Sequence, residues 1–217
     1  MMIKSYSHKT VGLCILVIIV FSFNSRVSAQ MRFADPRLIV GGSVAQFRVS
    51  LDRFEEIYDG RWGLGYGWNS GVRVYSNIYI SLSGRYFEKT GRPEGVSGTS
   101  GVPLSQAFWK ENWYLLGIRR YVLGERKWGS SIGLGYAFFY LEENPEVSVF
   151  EVDENGSGKQ DGKGFFLSIG IEYSLRSWMG LYGELEITSA GVGGRSGFEG
   201  LSIGGFYLAF GTNIRLF

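Results

Sequence analysis

Between Trp128 and Tyr140 the chain alternates almost without interruption. Even positions read Trp128, Ser130, Ile132, Leu134, Tyr136, Phe138 and Tyr140, and odd ones Gly129, Ser131, Gly133, Gly135, Ala137 and Phe139. Period two is the mark of a β-strand, whose successive side chains point to opposite faces. A half-buried strand in a water-soluble sheet sets Lys, Glu or Thr against its apolar face, but here the second face is nearly all Gly, Ser and Ala. Such a face is too small to form a core and too uncharged to meet bulk water. A strand with a greasy face and a small one suits a position between lipid and the narrow interior of a small barrel.

The same period predicts strands over 38–51, 61–75, 78–88, 109–123, 128–141, 164–174, 178–189 and 201–216. The count of eight is even, and the connections alternate in length. Residues 52–60, 89–108, 142–163 and 190–200 form long ones, while 76–77, 124–127 and 175–177 are short. Outer-membrane barrels have short periplasmic turns and longer extracellular loops, so the alternation places both ends of the barrel chain in the periplasm. The lipid-facing parity is clearest in Trp62, Leu64, Tyr66 and Trp68, in Phe165, Leu167, Ile169, Ile171 and Tyr173, in Leu181, Leu185 and Ile187, and in Phe206, Leu208, Phe210, Ile214 and Leu216. The fourth segment is ambiguous, because Trp113, Leu115 and Tyr121 alternate with Tyr114, Leu116, Ile118 and Val122. A bulge or a shifted boundary is expected there. The expected fold is an all-β, eight-stranded antiparallel up-and-down transmembrane β-barrel. A soluble ligand-carrying barrel would invert the faces, whereas here charge falls on the glycine-rich face.

Residues 1–29 read as a secretory signal peptide: Lys4, His8 and Lys9 precede an apolar run from Val11 to Phe23, and Val27-Ser28-Ala29 stands before Gln30. The run is shorter than the ~20 residues a transmembrane helix needs. Residues 30–217 are then the barrel domain. Cys14 has Leu13 before it and not the small residue that lipoprotein processing requires. Cleavage removes Cys14 and His8, which are the chain's one Cys and one His. The mature chain therefore lacks thiolate and imidazole, and no cofactor or metal is expected. It also loses Lys4, Lys9 and Arg26, leaving 19 basic residues against 20 acidic ones, a balance that excludes a nucleic-acid partner.

Segments such as Gly71-Val72-Arg73-Val74-Tyr75, Gly84-Arg85-Tyr86-Phe87 and Gly133-Leu134-Gly135-Tyr136 resemble strands of the small eight-stranded outer-membrane proteins. That family includes the transmembrane part of outer membrane protein A and the opacity-type surface proteins. The resemblance spans nearly the whole mature chain and implies an outer-membrane location, outer-membrane lipid and lipopolysaccharide as surroundings, and insertion by the barrel-assembly machinery. Phe217 takes the place of the family's terminal assembly signal, although it falls out of phase with Ile214 and Leu216. A monomer is expected. Enzymes on barrels of this kind depend on His, so the resemblance implies no catalysis in this chain.

The interior parity places Arg48, Arg73, Arg85, Arg119, Glu172, Glu184 and Glu186 in the lumen. Buried charges persist only when paired, so an internal salt-bridge network follows, acting as a structural plug or as a gate for small ions. Strand direction sets Arg73, Arg119 and Glu172 toward the periplasm, and the other four nearer the middle or outside. Glu184 and Glu186 are a carboxylate pair, but a filled lumen has no room for a sugar. Trp62, Trp109, Trp113, Trp128 and Trp178 are expected in the interfacial aromatic belts. The loop Asp153-Glu154-Asn155-Gly156-Ser157-Gly158 partly matches an EF-hand but has Gly164 where a bidentate Glu is needed. Gly191 to Gly200 lacks the Gly-Lys-Ser/Thr ending of a phosphate loop. Two roles fit these residues: a non-enzymatic barrel with a structural or surface-interaction role carried by its loops, or a narrow conduit gated by the interior Arg and Glu residues.

Overall fold

A computed structural model describes residues 36–51, 54–58, 60–91, 107–123, 127–143, 159–192 and 201–217. These fall in a unit running from Phe33 to Phe217. The signal segment, the calcium-like loop and residues 193–200 of the glycine run lie outside the described residues.

The chain builds β1 (Leu38–Val49), a short helix α1 (Phe54–Tyr58), β2 (Trp62–Tyr75), β3 (Ile78–Thr90), β4 (Phe108–Leu123), β5 (Trp128–Glu143), β6 (Lys159–Arg176), β7 (Met179–Val192), β8 (Leu201–Ile203) and β9 (Gly205–Leu216). From β1 to β7 each strand pairs antiparallel with the next, β7 pairs with both β8 and β9, and β9 pairs with β1 from Val49↔Gly205 to Leu38↔Leu216, which closes the barrel. The last two segments are one barrel strand broken at Gly204, whose φ of 106° only glycine holds easily. There Thr188 Oγ1 accepts the Gly205 N–H at 3.1 Å, replacing a backbone partner. The eight expected strands are all present. Two turns at one end are tight, Ser76-Asn77 and Ser177-Trp178, while the strand ends that the longer connections join lie at the other.

Two expectations need correction. The fourth strand carries no bulge, since its register runs unbroken with β3 from Ile78↔Arg120 to Thr90↔Phe108 and with β5 from Trp109↔Glu143 to Leu123↔Gly129. Both its faces are apolar because Tyr114, Leu116 and Ile118 face lipid while Trp109, Trp113 and Leu115 fill the interior. The sixth strand begins at Lys159, ahead of the expected residue 164. Its added residues, Lys159 to Lys163, are polar because they rise above the lipid, where no apolar period marks a strand.

The outside is greasy all round, with Val44, Leu64, Tyr66, Ile80, Leu116, Leu134, Ile169, Ile187 and Phe210 among its exposed residues. In water such a surface would aggregate; around a closed barrel, which leaves no unpaired strand edge, it is the surface a bilayer requires. On β1 the interval from Leu38 to Arg48 rises about 24 Å at ~3.4 Å per residue and ~45° tilt, matching the ~25 Å apolar band of such barrels. Strands β4, β5 and β6 are longer, at 16, 16 and 18 residues, so the wall stands taller on their side.

Candidate functional site

Three layers fill the lumen. At the long-loop end Phe47, Phe87, Trp109, Trp113, Phe139 and Tyr207 form an aromatic core with no more than 1% of each exposed. Trp113 is its hub, stacked on Phe139 at 5.7 Å and edge-on to Tyr207 at 5.8 Å between ring centroids. Helix α1 closes this core from above. Phe54 stacks on Tyr58 at 4.5 Å and meets Trp109 edge-on at 5.0 Å, so the first loop folds its own aromatics into the barrel mouth. The Tyr58 hydroxyl donates toward the Phe108 carbonyl at 3.1 Å, with Glu143 Oε1 at 3.4 Å. Burial, reinforced by the Glu143 charge, raises the Tyr58 pKa and keeps the phenol a neutral donor.

Below the aromatics lies a charged layer. Arg85 Nη2 reaches Glu184 Oε1 at 3.1 Å and Glu186 Oε2 at 2.9 Å, while its Nη1 donates to the Trp68 carbonyl at 2.9 Å. Arg119 pairs with Glu184 and donates to Ser168 Oγ at 3.2 Å. Trp113 Nε1 donates to Glu186 Oε1 at 3.3 Å, tying this layer to the aromatics above. Two arginines thus face two glutamates. Nearer the short-turn end Arg215 pairs with Glu172, whose other oxygen accepts from Asn213 Nδ2 at 2.8 Å. Ile39, Tyr79 and Tyr121 close the bottom.

Of the seven charges expected inside, Arg85, Arg119, Glu172, Glu184 and Glu186 are buried. Arg119 joins the central layer instead of the periplasmic one, meeting Glu184 across the lumen. Arg73 keeps the inward parity and is half-buried at the short-turn rim. Arg48 is a correction: it is exposed on the outer face, opposite Trp62 and Phe206. The first strand has apolar residues at both parities, Ile39, Phe47 and Val49 inward against Val40 and Val44 outward, so its period is one residue ambiguous. Trp109 and Trp113 are corrections too, being core residues and not belt residues. Trp62, Trp128 and Trp178 are exposed at strand ends, with Trp128 edge-on to Tyr173 at 5.0 Å. Phe217 lies one residue beyond β9 and is exposed.

Sequence reasoning missed Arg215, Asn213, Glu111 and Glu143, all buried. Arg215 and Asn213 occupy the parity opposite Ile214 and Leu216, which would have found them. Glu111 accepts from Trp109 Nε1 at 3.1 Å within the aromatic layer.

Brominated acyl chains are expected to quench single-tryptophan variants that retain Trp62, Trp68, Trp128 or Trp178, and to leave those that retain Trp109 or Trp113 bright. Trp113→Ala should cost about 3–5 kcal/mol in urea unfolding, the range for large aromatic truncation in a core, with Trp128→Ala far milder.

No family model and no curated protein sequence matches the chain. Among solved structures it is similar to Neisserial surface protein A, with a TM-score of 0.58 and 10% identity over 82% of this chain and 97% of that one. It is likewise similar to the outer membrane protein OprG from Pseudomonas aeruginosa, with a TM-score of 0.51 and 13% identity over 84% and 96%. The likeness is one of fold: the chain has the fold of the small eight-stranded outer-membrane barrels.

Proposed function

We propose that this protein is a non-enzymatic outer-membrane barrel whose lumen is a structural core and whose activity lies on its long-loop face, through binding of an extracellular partner. The observation that carries the reading is the aromatic layer roofed by α1, which fills the barrel between the charged network and the outside. The charges beneath it are matched, two arginines to two glutamates in the centre and Arg215 to Glu172 below. A gate needs charges that face water on a path for solutes, whereas these face one another under Phe47, Trp113 and Tyr207. Chemistry is left to the loops, as is usual where a rigid scaffold presents variable connections. That one similar structure is of a protein named a surface protein accords with this reading.

The test is to replace residues 145–157 by a short Gly-Ser link between β5 and β6. Folding should survive, because the Glu142↔Lys159 pair that ends the ladder is kept. Adhesion of cells displaying the protein to host cells or matrix should fall at least tenfold. A folded variant that adheres as well as the parent contradicts the assignment to this loop.

A further inference from the structure

The outer face of β1 differs from the rest of the exterior. Its outward residues above Val40 are Gly42, Val44, Gln46 and Arg48. Bulkier residues flank them in register: Leu64 and Leu208 beside Gln46, Tyr66 and Phe210 beside Val44, and Trp68 beside Gly42. These flanking side chains are exposed, so β1 is the floor of a furrow between ridges on β2 and β9. At its lower end a Cβ added to Gly42 would meet nothing nearer than the Gly67 carbonyl oxygen at 3.8 Å, which leaves the space in front open.

Arg48 stands at the extracellular end of the furrow. It lies between Trp62 and Phe206, whose rings meet edge-on at 6.4 Å. None of its cross-strand or diagonal neighbours, Trp62, Phe206, Leu64 and Leu208, is acidic. Among the described residues, the other outward cations at this end have acidic neighbours. Lys110 stands between Glu88 and Glu142 across the ladder, Lys159 is 3.7 Å from Glu142, and Lys163 is two residues from Asp161 on the same face. Arg48 also lies at the upper edge of the apolar band, where the headgroups of the outer leaflet begin.

We propose that the β1 furrow is a binding site for a phosphorylated acyl lipid of the outer leaflet. One chain lies along Gly42, Val44 and Gln46 between the two ridges, and a headgroup phosphate sits against Arg48. A guanidinium presents paired N–H donors that match two phosphate oxygens, and Trp62 and Phe206 seat the glycerol or sugar level of the lipid in the interface. This site is independent of the long-loop reading, since it lies on the wall and not in the loops.

Native mass spectrometry of the full chain, folded in detergent and titrated with bis-phosphorylated lipid A or its dephosphorylated form, tests the proposal. The parent should prefer the phosphorylated lipid by about tenfold, the scale of a charge-assisted hydrogen bond at a partly wet site. Arg48→Gln should lose that preference, Arg48→Lys should keep part of it, and Lys110→Gln should leave it intact. Gly42→Leu, which fills the furrow, should weaken both lipids alike. Heat-dependent gel migration checks that each variant is folded. A folded Arg48→Gln that prefers the phosphorylated lipid as the parent does overturns the headgroup site, and unchanged binding by Gly42→Leu overturns the chain's seat.

Discussion

Arg85→Met should destabilise the folded barrel by about 3–5 kcal/mol, the cost of stranding buried charge by removing its partner. Arg85 is the guanidinium that touches both Glu184, at 3.1 Å, and Glu186, at 2.9 Å. With it gone, Glu184 keeps Arg119, but Glu186 loses its salt-bridge partner and is left with the Trp113 N–H. A carboxylate so placed is expensive because the interior screens poorly and water does not reach it. Adding Glu186→Gln to Arg85→Met should therefore recover most of the loss, since an amide still accepts from Trp113 and carries no charge to bury. Equilibrium urea unfolding in lipid vesicles, followed by tryptophan fluorescence, gives both numbers. A loss under about 1 kcal/mol is what a solvated pair would give, and would mean that water reaches this layer.

Gly135→Val should be at least as damaging, at about 3 kcal/mol or beyond the reach of folding altogether, the upper range for forced overpacking. Gly135 of β5 faces Gly117 of β4 in register, and the Phe166 ring of β6 lies over both. A Cβ at Gly135 would sit 2.2 Å from the Leu116 carbonyl oxygen and 2.5 Å from Gly117 Cα. Those are backbone atoms, so shrinking Phe166 to Leu should not rescue the variant. Gly183 on the outer face supplies the contrast: an added Cβ there meets Phe210 at an ordinary 3.6 Å, and Gly183→Ala should change stability little. Heat-modifiable migration after refolding separates the two. Equal behaviour of Gly135→Val and Gly183→Ala would mean that the Phe166 ring and the glycine pair are not packed as described.

Strand period and loop alternation were enough to read the barrel, its eight strands and the direction of its faces, because a lipid-facing row must be apolar at every second residue. The reading slipped where that rule stops applying. Above the lipid the wall continues as Lys159 to Lys163 with no apolar face to mark it. In β1 and β4 the interior is itself apolar, so Phe47, Trp109 and Trp113 resemble outward residues, and Arg48 changes sides with a one-residue choice of parity. Helix α1 was not legible either. Five residues carry too little period to mark a helix, and what holds Phe54 and Tyr58 in place is the aromatic core beneath them. The charged layer was legible as a set of residues, but its partners were not. Which Arg meets which Glu depends on how the tilted strands bring distant rows to one level, and that is how Arg119 comes to meet Glu184.

Current through a single refolded barrel in a planar bilayer tests the closed lumen most directly. Under the arrangement of Phe47, Trp113 and Tyr207 above Arg85, Arg119, Glu184 and Glu186, the folded protein is expected to stay silent across the usual voltage range, in the parent and in a folded Arg85 variant alike. Discrete openings whose size or ion preference changes on replacing Arg85 or Glu184 would contradict it, and would make the interior charges the working site of the protein.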